Sequence, residues 1–191
     1  MIKVGLIGED PNDTSAIKNL LDNRYKDRVQ FKLLVKGIKG HHLDSVKIKK
    51  KLPIEFEDQH CKFIVYIRDL DAFKSQKDKL QAKTQWFRDL DALVNNKGIL
   101  FLNIWELEAL IFGDIEAFNK IYKTKYKVTR DPMLIKEPKE LLKNLTFKSP
   151  KRQFHESHCP EIFSQLNIDK LEAKCSCFKD FITEFDEKIS S

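Results

Sequence analysis

Two acidic clusters, Glu9-Asp10-Pro11-Asn12-Asp13 and Asp69-Leu70-Asp71, each stand directly after a short apolar run that reads as a buried strand. If those strands lie side by side, Glu9, Asp13, Asp69 and Asp71 meet at one sheet edge. Carboxylates gathered in one place raise each other's pKa values unless a cation neutralises them, and donors of this hardness take Mg²⁺ or Mn²⁺. One or two such ions would orient a phosphodiester, activate a water and stabilise the leaving oxygen, so metal-assisted phosphate chemistry is the leading expectation. Asp13 follows Glu9 by four residues, about one helical turn, which puts both on one face. Asp69 and Asp71 are two apart and share a side as long as strand geometry continues.

The elements that must carry these acids follow from hydrophobic period. Ile2 to Ile7 reads as a strand ended by Gly8, and Asn12 to Leu21 as a helix with Ile17, Leu20 and Leu21 inward and Asp10-Pro11 as its cap. Val29 to Val35 is a second strand candidate, followed by a Gly37/Gly40 loop with His41 and His42 and by a basic run from Lys47 to Lys51. Phe63 to Ile67 is continuously apolar, as in a strand buried on both faces. Lys77 to Val94 has helical period with Leu80, Trp86, Phe87, Leu90 and Leu93 inward, and Gly98 to Ile104 is the fourth strand. Strands alternating with helices predict a mostly parallel four-stranded sheet flanked by helices, an α/β fold whose ligands sit beyond the carboxyl ends of the strands, where both acidic clusters fall.

From Trp105 the pattern changes. Trp105 to Phe112, Ile115 to Tyr122, Glu137 to Leu145 and Phe178 to Ile189 read as helices, while Lys123 to Lys136 is polar and irregular. The expected division is an α/β core over 1–114 and a helical C-terminal subdomain over 115–191 that packs on the core. A length of 191 residues, 41% hydrophobic composition and 14 Phe suffice for such a core, and a net charge of +6 with 34% charged residues suits a soluble protein that binds a polyanion or one with a uniformly lysine-rich surface. No apolar stretch approaches the roughly 20 residues of a membrane span and the N-terminus opens into a strand pattern, which predicts a cytoplasmic protein. Cys61, Cys159, Cys175 and Cys177 are too few and too irregular for a disulfide framework.

Glu9 with Asp69-Leu70-Asp71 resembles the Mg²⁺ site of the Toprim domain, and Glu9-x-x-x-Asp13 looks like the opening of its nuclease branch, which includes the overcoming-lysogenisation-defect nucleases. The segment Asn103-Ile104-Trp105-Glu106-Leu107-Glu108-Ala109-Leu110-Ile111-Phe112-Gly113-Asp114 is similar to a motif of a bacterial Toprim-like family, DUF4276, and Glu137-Pro138-Lys139 and Cys177-Phe178-x-x-Phe181 look like its later landmarks. The resemblance implies a Toprim-like fold and a Mg²⁺-dependent nuclease acting on DNA or RNA, an anti-phage effector working with an ABC-type ATPase. By position it makes Glu9 a metal ligand or general acid/base, and Asp13, Asp69 and Asp71 ligands directly or through water. Glu108 is the candidate further ligand, turned to the sheet edge while Glu106 points elsewhere, and Lys139 is the first choice for the cation that stabilises phosphorane charge, with Lys151 and Arg152 behind it. The chain departs from the pattern in having Asp10-Pro11 where glycine follows the Glu, and Arg68 before the acidic pair, where a guanidinium would hold a phosphate or pair with Asp69.

Plainer readings stand beside these. Glu9 and Asp13 are also what a helix N-terminus attracts, Asp69 and Asp71 suit a solvated turn, and Glu106 and Glu108 an exposed helix turn. His155, His158 and Cys159 with Cys175 and Cys177 have zinc-binding chemistry but fit no standard finger. His41 and His42 suit a surface loop or a substrate contact. Lys47, Lys49, Lys50 and Lys51 suit a solvated helix face or one that tracks a phosphate backbone. The competing functions are a non-catalytic Toprim-like module that binds nucleic acid or a partner, and a receiver-like signalling domain. The latter demands a Ser or Thr after the fourth strand, where Asn103, Trp105 and Glu106 stand. Neither glycine fingerprint of P-loop or Rossmann nucleotide enzymes occurs.

Overall fold

Short strands that are apolar on both faces exclude water only when helices cover both sides, and the chain meets that demand with a four-stranded sheet in the order β2-β1-β3-β4. The computed structural model describes residues 1–35, 43–149 and 152–191. The expectations placed on Gly37, Gly40, His41, His42 and Lys151 fall outside the described residues. The strands are β1 (Ile2–Gly8), β2 (Val29–Leu33), β3 (Phe63–Asp69) and β4 (Gly98–Asn103). Every pairing is parallel, with Gly8 opposite Ile67 and Asp69 opposite Asn103, so all four strands end at the same edge. The predicted α/β architecture is the one observed.

Asp10 starts α1 (Pro11–Tyr25) as expected: its side chain accepts from the Asn12 N–H at 2.7 Å, and Pro11 occupies a first-turn position where no donor is needed. Even-numbered residues of β1 and odd-numbered ones of β3 and β4, among them Val4, Leu6, Phe63, Val65 and Phe101, form a single apolar cluster with α1 and with α8 (Ser176–Ser190). The other face packs Ile64 and Tyr66 against Ile48, Leu52 and Phe56 of α2 (Val46–Asp58) and Leu90 of α3 (Lys77–Asp91). Gly98 is required where it is, since a Cβ would strike the Tyr66 ring and the Asp91 carboxylate.

Two element readings need correction. The helix α3 ends at Asp91 and tightens into a 3₁₀ turn over Ala92–Val94, which rotates the stripe so that Val94 is buried and Leu93 is 40% exposed. The stretch expected as a helix from Trp105 is instead a turn followed by a 3₁₀ segment, Leu107–Asp114, every residue of which is buried.

The remaining helices are α4 (Ile115–Tyr122), α5 (Pro138–Thr146), α6 (Cys159–Phe163) and α7 (Ile168–Lys174). They share the apolar cluster of the sheet's first face, and α6 is tied to α1 by Asn19, whose amide donates to the Pro160 carbonyl at 2.9 Å. Arg24 of α1 reaches Asp169 at 2.6 Å and also pairs with Glu172. Among the described residues no helix is long and apolar enough to cross a membrane. The last helix is central to the packing: the Phe185 ring lies 4.9 Å from Tyr25, 5.5 Å from Phe63 and 6.1 Å from Phe31. Phe185→Ala is expected to cost about 3 to 5 kcal/mol in a guanidinium denaturation midpoint analysis, the range for truncating a buried aromatic side chain.

Candidate functional site

Parallel pairing brings the exits of β1, β3 and β4 to one edge, and a cavity of about 220 Å³ opens there. Its wall holds Glu9, Asp10 and Asp13 from the first junction, Asp69 and Asp71 from the third strand, and Glu106, Glu108, Lys139 and Glu156 from the second half of the chain. The alternation of strand side chains splits this set across the sheet. Asp69 falls on the α1 face, where the Asn103 amide donates to it at 3.0 Å. Arg68 falls on the opposite face with Glu9, whose Oε1 lies 2.5 Å from Arg68 Nε.

The α1 side gathers Asp13, Asp69 and Glu108 with Lys139 as the cation they share among the described residues. Burial, then the charges of Asp13, Glu108 and Glu9, push the Asp69 carboxyl well above the usual carboxylate range, against the pull of the Asn103 hydrogen bond. Asp13 is pushed up to about 8 by burial, then by Glu108, Asp10 and Glu9, with Lys139 opposing. Glu108 is raised to about 7, again chiefly by burial, with Glu106 and Glu156 adding to it. Burial alone would lower Lys139, but Glu108, Glu156 and Glu106 outweigh it and hold the ammonium above the ordinary lysine range. Lys139 reaches Glu156 at 3.0 Å, Glu108 at 3.8 Å and Glu106 at 4.0 Å. One lysine thus serves three acids, and Asp13 and Asp69 are left without a cation in contact among the described residues.

The other side is paired. The Arg68 guanidinium holds Glu9, takes Asp44 at 3.0 and 3.3 Å, and stacks 4.1 Å above the Trp86 ring. It therefore neither pairs with Asp69 nor stands free for a phosphate. Lys83 of α3 lies 3.7 Å from Glu9 and 3.1 Å from Asp71. Strand geometry stops at Asp69; Asp71 takes a left-handed φ of 55°, and its N–H donates to the Trp105 carbonyl at 2.9 Å. Its side chain is 60% exposed and faces Lys83, so Asp69 and Asp71 do not point the same way.

Glu106, expected to point elsewhere, belongs to the cavity and accepts from the Lys139 backbone N–H at 3.1 Å. This contact anchors the start of α5 and places Lys139. The 3₁₀ turn explains the difference, because Glu106 precedes it in extended backbone rather than on a helix face. Sequence reasoning misses Asp10 and Glu156 as cavity residues; the spacing of Glu156 carries no signal of its role. Lys47, Lys49, Lys50 and Lys51 are exposed on α2, which covers the face opposite Asp13 and Asp69. Arg152 lies outside the cavity wall, paired with Glu161 at 2.5 Å and 5.5 Å from the Tyr122 ring centre.

Among the described residues no group of three or more His, Cys, Asp or Glu side chains is arranged so that it could hold a metal ion. The zinc chemistry of the C-terminal half is dispersed: His158 Nδ1 meets the Tyr122 hydroxyl at 2.8 Å, Cys177 lies against Met133, and all four cysteines are free and buried. The acidic wall suits a hard divalent ion by its donors, which are oxygens throughout, and by two features that call for a cation. Among the described residues, Asp13 and Asp69 have no cation in contact, and Asn103 Oδ1, buried at the same edge, has no hydrogen-bond partner.

Comparison with family models matches residues 8–186 to a family described as "Domain of unknown function (DUF4276)". No curated protein and no solved structure matches the chain.

The raised carboxyls fix the pH dependence of folding. Asp13 titrates near 8 in the folded chain against 3.8 ordinarily, so the folded state holds a proton that the unfolded state releases. Its contribution is full below pH 4 and is lost as pH climbs toward 8, by up to about 1.4 kcal/mol per pH unit for one group. Asp69 and Glu108 act with the same sign. In EDTA, Asp13→Asn should be more stable than the parent at pH 8, by about 2 kcal/mol, with the gap closing at pH 5. Guanidinium titrations at the two pH values test this, and a gap that grows on acidification would contradict the electrostatics described.

Proposed function

The chain belongs to the DUF4276 family, and from that premise we propose that it is a Mg²⁺- or Mn²⁺-dependent nuclease of Toprim type, hydrolysing phosphodiester bonds in DNA or RNA. The observation that carries the reading is the half-buried pair Asp13 and Asp69, delivered by α1 and β3 to the edge that lines one cavity, with no cation in contact among the described residues. Asp13, Asp69 and Glu108 would hold the ion, with Glu9 and Asp71 beside them. A bound divalent ion supplies the Lewis-acid charge that makes water a competent nucleophile near neutral pH and offsets charge on the leaving oxygen. Lys139, fixed through Glu106 and Glu156, is set to stabilise negative charge growing on the phosphate oxygens. Glu9, held by Arg68 at the opposite lip, orients the attacking water or accepts its proton.

The wider setting is proposed on the resemblance to the Toprim nucleases: an effector of anti-phage defence whose partner is a separate ABC-type ATPase, acting in the cytoplasm, where free thiols such as these four persist. The alternative is a non-catalytic module that binds nucleic acid or a partner. It draws on the Arg68 to Glu9 pair, which occupies one of the acids, and on the lack, among the described residues, of a group of three or more such side chains arranged to hold a metal ion.

Purified chain with Mg²⁺ or Mn²⁺ is expected to cut plasmid DNA or RNA, and Asp69→Asn to abolish cutting while the chain remains folded. Lys139→Ala should slow it by about 10²- to 10³-fold, as loss of one transition-state charge partner does elsewhere. Cleavage that persists in Asp69→Asn, or no cleavage with either ion even in the presence of a candidate ATPase, would leave the binding module in its place.

A further inference from the structure

Between α4 and the turn at Pro132 the chain is neither helix nor strand; it leaves α4 through a left-handed Lys123, and exposed and part-buried side chains alternate as far as Val128. Lys123, Lys125, Lys127 and Arg130 are exposed, while Tyr126 and Val128 pack against the core. Two residues of extended chain advance about 6.6 Å, close to the separation of neighbouring phosphates on a sugar-phosphate backbone. The strip is held in shape. Asn119 donates to the Tyr126 carbonyl at 2.8 Å, and its Oδ1 accepts from the Tyr126 N–H at 3.1 Å and the Thr124 hydroxyl at 2.6 Å. The Tyr126 ring stands edge-on to Phe112 with centres 6.2 Å apart.

Some cations are matched to carboxylates, as Lys18 is to Asp22, Lys143 to Glu140 and Lys170 to Asp114, while others, the exposed lysines of α2 among them, are not. Lys123, Lys125, Lys127 and Arg130 form no ion pair with a described residue, and neither does Lys148. The nearest acid in sequence, Asp131, is spent on the Met133 N–H at 2.8 Å. At the head of the row the Ser149 hydroxyl donates to the Tyr122 carbonyl at 2.7 Å, which brings the end of α5 beside Lys123. There Phe147 is 72% exposed. Lysines at every second position, with an exposed aromatic ring on the segment tied to the head of the row, supply the two components of sequence-tolerant single-strand binding: charge for the backbone and a ring for a base.

We infer that this strip binds single-stranded nucleic acid, the lysines taking successive phosphates and Phe147 stacking on a base. A duplex hides its base faces and offers Phe147 nothing to stack on. The inference deepens the nuclease reading and rests on it for its sense, but binding itself needs no metal, so the two fail separately.

The test is fluorescence anisotropy of the full chain in EDTA with labelled oligo-dT, oligo-U and a duplex of equal length, over a series of KCl concentrations. The parent should prefer the single strands. The variant K123S/K125S/K127S, at exposed positions and checked for an unchanged melting temperature, should bind more than tenfold more weakly. Its log affinity against log salt should flatten by about 2, at about 0.7 for each phosphate that no lysine neutralises any longer. Phe147→Ala should weaken binding about tenfold and Phe147→Trp should restore it. The α2 variant K47S/K49S/K50S/K51S should bind like the parent. Equal binding by parent and triple variant, loss in the α2 variant instead, a preference for duplex, or no binding by the parent would each overturn the inference. Strip-dependent binding without any cleavage would sink the nuclease reading alone, and cleavage indifferent to the strip would sink this one alone.

Discussion

Like charges held at one edge of a low-dielectric sheet repel, and the chain answers that repulsion on one side only. Around the cavity, Arg68 and Lys83 neutralise Glu9 and Asp71, and Lys139 is shared by Glu106, Glu108 and Glu156. Asp13 and Asp69 receive no such partner among the described residues. Had every acid been matched, the edge would be an ordinary salt network, with nothing for a further cation to gain by entering. Had none been, burying so many carboxylates would cost more than a marginally stable domain can bear. On the proposed reading, this mixture is what lets a divalent ion gain by entering.

The partition follows from backbone geometry. Period two places Arg68 and Asp69 on opposite faces, so the guanidinium next in sequence to the key acid is beyond its reach and engages Glu9, Asp44 and Trp86 instead. Beyond Asp69 the chain leaves strand geometry, and the loops after β3 and β4 pair with each other: Leu70 N–H donates to Asn103, Asp71 to Trp105 and Trp105 to Ala72. That pairing holds Asp69 and Asn103 in register at the cavity floor. It also carries the chain to Glu106, which fixes the start of α5 and so the position of Lys139. The helices of the second half therefore close the cavity as well as the core: α5 brings Lys139, and the 3₁₀ turn at Glu156 brings its partner.

What is legible in the sequence is what local periodicity encodes. Apolar runs mark four strands, their alternation with helices implies parallel pairing, and parallel pairing puts Glu9, Asp13 and Asp69 at one edge. Asp71 escapes such a reading because the end of a strand depends on loop pairing with residues more than thirty positions away, which no local pattern reports. Glu106 escapes it because a buried 3₁₀ segment and an α-helix share composition, and only their pitch decides which acid faces the cavity. Glu156 carries no signal, since its role arises from tertiary packing alone. The basic strip that begins at Lys123 reads as irregular: its period-two alternation runs only to Val128, and no described strand pairs with it.

The two proposed surfaces constrain each other electrostatically. The chain is +6 overall, yet its cavity wall is dominated by acids, so its excess positive charge lies elsewhere. At physiological salt, charges act over about 8 Å, and a phosphate that approaches the cavity meets carboxylates first. The same phosphates meet only cations along the strip, which draws the strand in without the cavity's help. Under the proposed function, entry of the scissile phosphate would depend on inverting the sign of the cavity, the part a divalent cation at Asp13 and Asp69 would play. On the two proposals taken together, strand binding would precede metal loading whereas cleavage would not, and attraction would be separated from chemistry.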